Sequence, residues 1–394
     1  MPARKLLALE RTYRMSTNLM EAHSQWATRP QDERFQTLDA LAESVGQRRL
    51  KSRSVDIDAT RLEVKSDQAG LLTINGTIQP SEPSHWSFGQ LSNLVGAPAS
   101  YLRKLPMDLV VQNLNHGIKN GLAKDAVKFM TVERDSGPNI LQAVTSSTYG
   151  RIWDADCVAA VQRIVERSNG RFFNPKAYAM RPGMDSNGFK SMDASRTEPA
   201  GLYASDHDVF MFLIDGGSLL DGGDRAKLHR GFFCWNSETG ARSFGLTTFL
   251  FNAVCGNNIV WGAQDINKLV IRHTSGGPYR FDGEAMSTLN AYVNASAAPI
   301  ESAVRKAQSY ILCDGTGSIE SLESFLSSNG KFSRSEVRSA YDFAKAEEGK
   351  CETLWDAVQG LTAYARGFDF VDARVDLETR AGKLLNLVAE SALN

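Results

Sequence analysis

The feature that most restricts the fold of this chain is a single change in its hydrophobic period. Up to about His273, short segments of two-residue alternation, such as Val55-Asp56-Ile57-Asp58 and Leu71 to Ile74, are interleaved with helical stretches. From about Phe281 the apolar residues recur only at helical spacing, as in Leu354, Val358, Leu361 and Ala365, or Leu377, Leu384, Leu385 and Val388. Period two turns one side of a strand toward a core, and spacings of three and four residues do the same for a helix. The break falls at Ser275-Gly276-Gly277-Pro278, a turn-forming run. The expected class is therefore α/β of the α+β kind: a mixed antiparallel-sheet body with flanking helices, followed by an all-helical C-terminal tail.

Three regions follow from this reading. Residues 1–150 form an N-terminal α/β region, 151–277 a central sheet-rich region, and 278–394 the helical region. In the first, Pro30 to Val45 reads as helix and Asn75-Gly76 as a hairpin turn. Ser87 to Val95, Pro98 to Leu105 and Met107 to Lys119 read as short helices, and Val127 to Glu133 and Ile140 to Thr145 as strands. Asp154 to Ser168 has the pattern of an amphipathic helix. The stretch from about Asn169 to Tyr203 is rich in Gly, Pro, Asn and Ser and reads as a long loop. Asp208 to Ile214, Arg230 to Trp235, Arg242 to Phe251 and Lys268 to His273 read as strands, and the glycines and aspartates of Asp215 to Asp224 as an exposed turn. In the helical region, Ser333 with Glu336 has capping-box spacing.

Charge excludes the simplest nucleic-acid module. The 394 residues carry 44 Lys and Arg against 45 Asp and Glu, a net charge of −1, so a polyanion would have to meet a local patch. The 5 cysteines are odd in number and contain no C-x-x-C pair, which fits free thiols in a reducing compartment. The N-terminus has no apolar signal core, and Phe249 to Trp261 is too short and too rich in asparagine to span a bilayer. The expectation is a cytoplasmic protein without a membrane partner.

Familiar catalytic signatures are absent. The chain has no G-x-S-x-G, no G-x-x-x-x-G-K-[ST] and no H-E-x-x-H, and its histidines stand apart from one another and from the cysteines. No metal site, cofactor or catalytic residue is nominated. Two segments carry the parts of a nucleic-acid site. Arg48, Arg49, Lys51 and Arg53 could follow a phosphate backbone, or could equally be the solvated edge of a strand. Arg230 beside Phe233 and Trp235 could stack bases, although alternation sends Phe232 and Cys234 to the opposite face and one of the two pairs must pack in a core. Asn252, Asn257 and Asn258, around Cys255-Gly256, form either a tight corner or a polar binding corner.

The stretch HRGFFCWNSETGARSFGLTTFLFNAVCGNNIVWGAQDINKLVIR, His229 to Arg272, resembles the domain-of-unknown-function 932 family, as do Ala204 to Asp215 upstream and Thr353 to Arg366 near the C-terminus. VCGNNIVWG is the most specific piece. The resemblance implies a bacterial phage or plasmid setting and carries no catalytic residues. Together with the basic segments it gives the expectation of a mobile-element accessory protein that binds single-stranded DNA during replication or recombination. One alternative is a scaffold that forms homo-oligomers through the helical tail by the stripe Leu354, Val358 and Leu361. Another is an enzyme in which the 169–203 loop covers Asp206, Asp208 and His229.

Overall fold

In the computed structural model, which describes residues 33–66, 72–75, 80–122, 126–169, 171–174, 201–221, 227–252, 257–259, 268–312, 318–366 and 371–389, alternating and helical segments assemble as two sheets and a helical cap. This is an α+β architecture. The segment 1–32 and most of the 169–203 loop lie outside the described residues.

The N-terminal sheet has six strands in the order Ser52–Asp58, Ala126–Val132, Asn139–Ser146, Ser81–Pro83, Leu72–Asn75 and Glu63–Ser66. Neighbours are antiparallel except where Ser81–Pro83 runs parallel to Asn139–Leu141. Alternation directs Val55, Ile57, Val127, Phe129 and Val144 to one face. There they meet Leu91, Val110 and Leu114 of helices His85–Leu94 and Met107–Lys119.

The central sheet is built on three long antiparallel strands, Val209–Asp221, Lys227–Asn236 and Phe244–Asn252. Arg34–Phe35 and Leu202–Ala204 extend it on one side, and Asn257–Ile259 and Lys268–Ile271 pair with successive halves of Phe244–Asn252 on the other. Met211, Leu213, Phe232, Cys234 and Leu246 pack against helices Leu38–Lys51 and Asp154–Arg167 and the segment around Phe281 and Leu289. Helix Leu38–Lys51 thus belongs to the central core, through Leu41 and Val45, although it precedes the N-terminal sheet in sequence.

One expected turn is strand instead. Val209–Asp221 runs through Asp215, and its register against the neighbouring strand shifts between Ile214 and Leu219. Such an irregularity lets a strand take up extra residues, and glycine suits it.

The cap comprises helices Ala298–Ser309, Ile319–Gly330, Arg334–Glu348, Leu354–Arg366 and Val371–Leu384. Leu354, Val358 and Leu361 are fully buried in its core, which also takes in Leu228 and Leu250 from the central sheet. Burying each such side chain contributes about 1.5–3 kcal/mol. The stripe read as a self-association surface is therefore spent inside its own subunit. The Ser333–Glu336 capping box is formed, with Ser333 N–H donating to Glu336 Oε2 at 2.7 Å and Glu336 N–H to Ser333 Oγ at 3.3 Å. No helix among the described residues is long and apolar enough to cross a membrane.

Candidate functional site

The basic run does not act as one patch. Helix Leu38–Lys51, capped by Thr37 Oγ1 accepting from Ala40 N–H, extends past the expected end and takes in Arg48, Arg49 and Lys51 as its last turn. Cations are favoured there because the carbonyl end of a helix is negative. Arg48 turns inward: its guanidinium lies 2.8 Å from Asp154 Oδ2 and 3.1 Å from Glu238 Oε1, and it donates to the Ser205 carbonyl. It is lost to any phosphate. Arg49, half-buried, lies over the ring of half-buried Trp153, 3.9 Å from its centroid, and Arg151 lies 5.6 Å from the same centroid. Lys51 is exposed and pairs with exposed Asp135 at 3.0 Å. Arg53, also exposed, opens the adjoining strand and donates to the Leu50 and Ser52 carbonyls.

The aromatic candidates lie in the interior. Phe233 is 0% and Trp235 2% exposed, their rings stacked 5.0 Å apart, and their neighbours Phe232 and Cys234 are equally covered. Both faces of the strand are buried here, so no ring is presented to a base. Arg230, 2% exposed, is 3.1 Å from Asp215 Oδ2, donates to the Ala295 carbonyl at 2.8 Å and lies over the Tyr292 ring. Arg171 completes this knot at 2.5 Å from Asp215. A buried arginine with its carboxylate in place holds the start of the cap to the sheet and has no role in meeting solvent anions.

Asn252 and Asn257 are register partners, and Asn258 faces Phe251 across the same strand pair. Residues 253–256 and the three asparagine side chains lie outside the described residues. The enzyme reading loses its constellation: Val209 pairs with Asn236 and Leu219 with His229, so Asp208 and His229 stand toward opposite ends of one strand pair. Among the described residues no group of three or more His, Cys, Asp and Glu side chains is placed to hold a metal ion.

What the sequence reading missed is the turn Asn236-Ser237-Glu238-Thr239-Gly240. Its first four residues are at most 2% exposed, and it joins the two sheets. Trp86 Nε1 and Gln90 Nε2 donate to the Thr239 carbonyl at 3.3 and 2.8 Å, and Tyr149 donates from its hydroxyl to the Ser237 carbonyl at 3.1 Å. Arg151 donates to the Glu238 carbonyl. From the central side, Ser237 and Thr239 hydroxyls donate to the His207 carbonyl, and Ser205 Oγ donates to Asp208 Oδ1 at 2.6 Å. Glu238 Oε2 also accepts the N–H of Asp154 at 3.0 Å, capping a helix that Trp153 leaves without a side-chain cap.

Electrostatics in this joint are those of a dry interior. Burial and the nearby Glu238 push the Asp154 carboxyl well above its usual range, against the opposing pull of Arg48. Burial, reinforced by Arg151, holds His273 down at about 4, where its ring stacks on Tyr149 at 4.9 Å. Most of these donors and acceptors are aimed at one another, as in a joint between the sheets, while Arg151 Nε and Asn236 Oδ1 are buried with no hydrogen-bond partner.

Two surface features among the described residues bear on the expected nucleic-acid binding. One is the segment Arg49 to Arg53, where Arg49 lies over Trp153 and Lys51 and Arg53 are exposed. The other is a cleft of about 370 Å³ between strand Ser81–Pro83 and the first turns of helices His85–Leu94 and Met107–Lys119, with Arg103 at its rim. Comparison of the chain with family models, curated proteins and solved structures gave no match.

Proposed function

We propose that this chain binds single-stranded nucleic acid along the edge of its N-terminal sheet, as an accessory protein of the mobile-element kind that its family resemblance implies. The observation that carries the reading is Arg49 over half-buried Trp153, with Lys51 and Arg53 exposed two and four residues further along the chain. An aromatic ring with a guanidinium at the surface is the unit on which bases stack, worth about 1–3 kcal/mol per base. The ion pairs already present do not close the surface. Lys51–Asp135 and Arg134–Glu82 are both solvent-accessible, such pairs are worth about 0–1 kcal/mol, and a phosphate can replace either carboxylate.

Three phosphate contacts through Arg49, Lys51 and Arg53 correspond to a slope of about +2 in log Kd against log salt for a single strand. The test is fluorescence anisotropy with labelled single-stranded and duplex DNA over a salt series. The double variant Lys51→Glu/Arg53→Glu is expected to weaken single-strand binding at least tenfold across sequences and to flatten the slope. Affinity unchanged by this charge reversal removes the edge as the binding surface.

A further inference from the structure

The 370 Å³ cleft has the size of a small-molecule site, at the lower end of the roughly 300–1,000 Å³ such sites occupy. Its walls divide by chemistry. Phe88, Leu102, Met107 and Val110 make an apolar slot. Glu82, His85 and Arg103 add charged and polar groups to its lining. Arg103 is tied in position: its Nη2 donates to the His85 carbonyl at 2.9 Å, and its guanidinium lies 5.3 Å from the Phe88 ring centroid. The residue itself remains exposed, so a charged face is held at the mouth of an apolar slot. Glu82, which also lines the cleft, pairs through Oε2 with Arg134 at 2.5 Å. Partial desolvation, with Arg103 and His207 nearby, lowers the pKa of His85.

We propose that this cleft is a nucleotide site, taking a planar base into the slot against Phe88 and its phosphate at Arg103. A flat ring suits walls of Phe and Met, and a ring amino group suits the Glu82 carboxylate. A phosphate accepts charge-assisted hydrogen bonds from a guanidinium such as that of Arg103. The inference deepens the single-strand reading and rests on it for one of two sources, since the same chemistry belongs to a free mononucleotide or to a nucleotide within a strand. The strand source is favoured by continuity, because Glu82 pairs with Arg134 and the next residue, Asp135, pairs with Lys51 of the proposed edge.

The test is isothermal titration of the full chain with adenosine 5′-monophosphate, with adenosine, and with an unlabelled deoxyadenosine hexamer. Arg103→Gln is expected to weaken the monophosphate at least tenfold and to leave adenosine within twofold. Met107→Trp, which fills the slot at a half-exposed position, is expected to abolish both. Lys51→Glu/Arg53→Glu should leave the monophosphate unchanged. A hexamer weakened by both sets of variants identifies a nucleotide within a strand. A hexamer that does not bind, while the monophosphate still depends on Arg103, identifies a free nucleotide and removes the edge reading alone. No monophosphate binding at millimolar concentration, or binding indifferent to Arg103→Gln, overturns the cleft, and a hexamer still sensitive to Lys51→Glu/Arg53→Glu would then leave the edge standing. If Met107→Trp fails to fold, the Arg103→Gln comparison of monophosphate against adenosine decides.

Discussion

Arg48 and Arg49 are consecutive residues on one helical turn, and they belong to two different parts of the molecule. Arg48 enters the joint, where Asp154 and Glu238 meet its guanidinium and side-chain exposure falls to 18%. Arg49 lies on the outer edge over Trp153, with Lys51 paired to a fully solvated aspartate nearby. One residue is a rotation of about 100° around a helix, enough to carry a charge from interior to surface. A run of cations in a sequence is therefore two populations once it is helical. The inner one is committed to the fold, and the outer one is available for ligands.

The widest expected separation between the two is in stability. Removing Arg48 leaves Asp154 and Glu238 buried together without their guanidinium, and breaking a buried charge group in this way costs about 3–5 kcal/mol. Arg49→Ala gives up a cation–π contact near the surface, worth about 0.5–1 kcal/mol. Urea unfolding midpoints of Arg48→Ala and Arg49→Ala measure the difference directly. Equal, small losses would mean that the joint is not what fastens the sheets.

The joint should also respond to pH where the edge does not. Burial, together with Arg151, lowers His273 from its ordinary 6.5 to about 4 in the folded chain. The unfolded chain takes up this proton first as pH falls. The contribution to stability is thus complete above about pH 6.5 and is lost progressively as pH approaches 4, and it amounts to ~3 kcal/mol. His273→Asn has no such proton to exclude, so the wild type should lose ~3 kcal/mol more than the variant between pH 7 and pH 4. Urea titrations at several pH values across that window check this, and parallel losses would assign the acid sensitivity to other groups.

Patterning made the elements legible and left the joint hidden. Strands such as Ala126–Val132 and Asn139–Ser146, helices such as Met107–Lys119, and the Ser333 capping box follow from local spacing that does not depend on distant partners. Asn236 to Gly240 has the composition of an exposed turn, and burial came to it from the far side of the chain, from Trp86, Gln90, Tyr149 and Arg151. The same holds for Asp215, which reads as a turn residue until Arg171 and Arg230 close on it. Trp153 drew no notice because a lone aromatic before a helix is ordinary, and only the fold brings Arg49 above it. Charge and turn propensity are local properties, while the burial that decides their use is set by pairing at long range.

A smaller effect tests the turn itself. Gly240 has φ +90°, a conformation that side chains with Cβ rarely adopt, and a Cβ there would come within 3.4 Å of the Thr145 methyl. Gly240→Ala should cost about 1–2 kcal/mol. Gly276→Ala meets no atom within 4 Å and has negative φ, so it should be neutral or slightly stabilising. A denaturation midpoint that moves equally for both would remove the backbone argument for this turn.

The smallest expected change in stability is also the one that defines the edge. Lys51→Ala removes an exposed cation paired with a solvated aspartate, and Arg53→Ala an exposed cation bonded only to neighbouring backbone carbonyls, so each should shift the unfolding free energy by no more than ~0.5 kcal/mol. If these cations serve a ligand, the same substitutions should weaken single-strand binding severalfold with the melting curve in place. That pairing of intact stability with lost affinity is the inverse of what Arg48→Ala predicts, because a buried charge cannot be removed without loosening the fold that presents every other residue. A stability loss at Arg53 comparable to that at Arg48 would make the whole run part of the scaffold, and the edge would then have no cations left to offer.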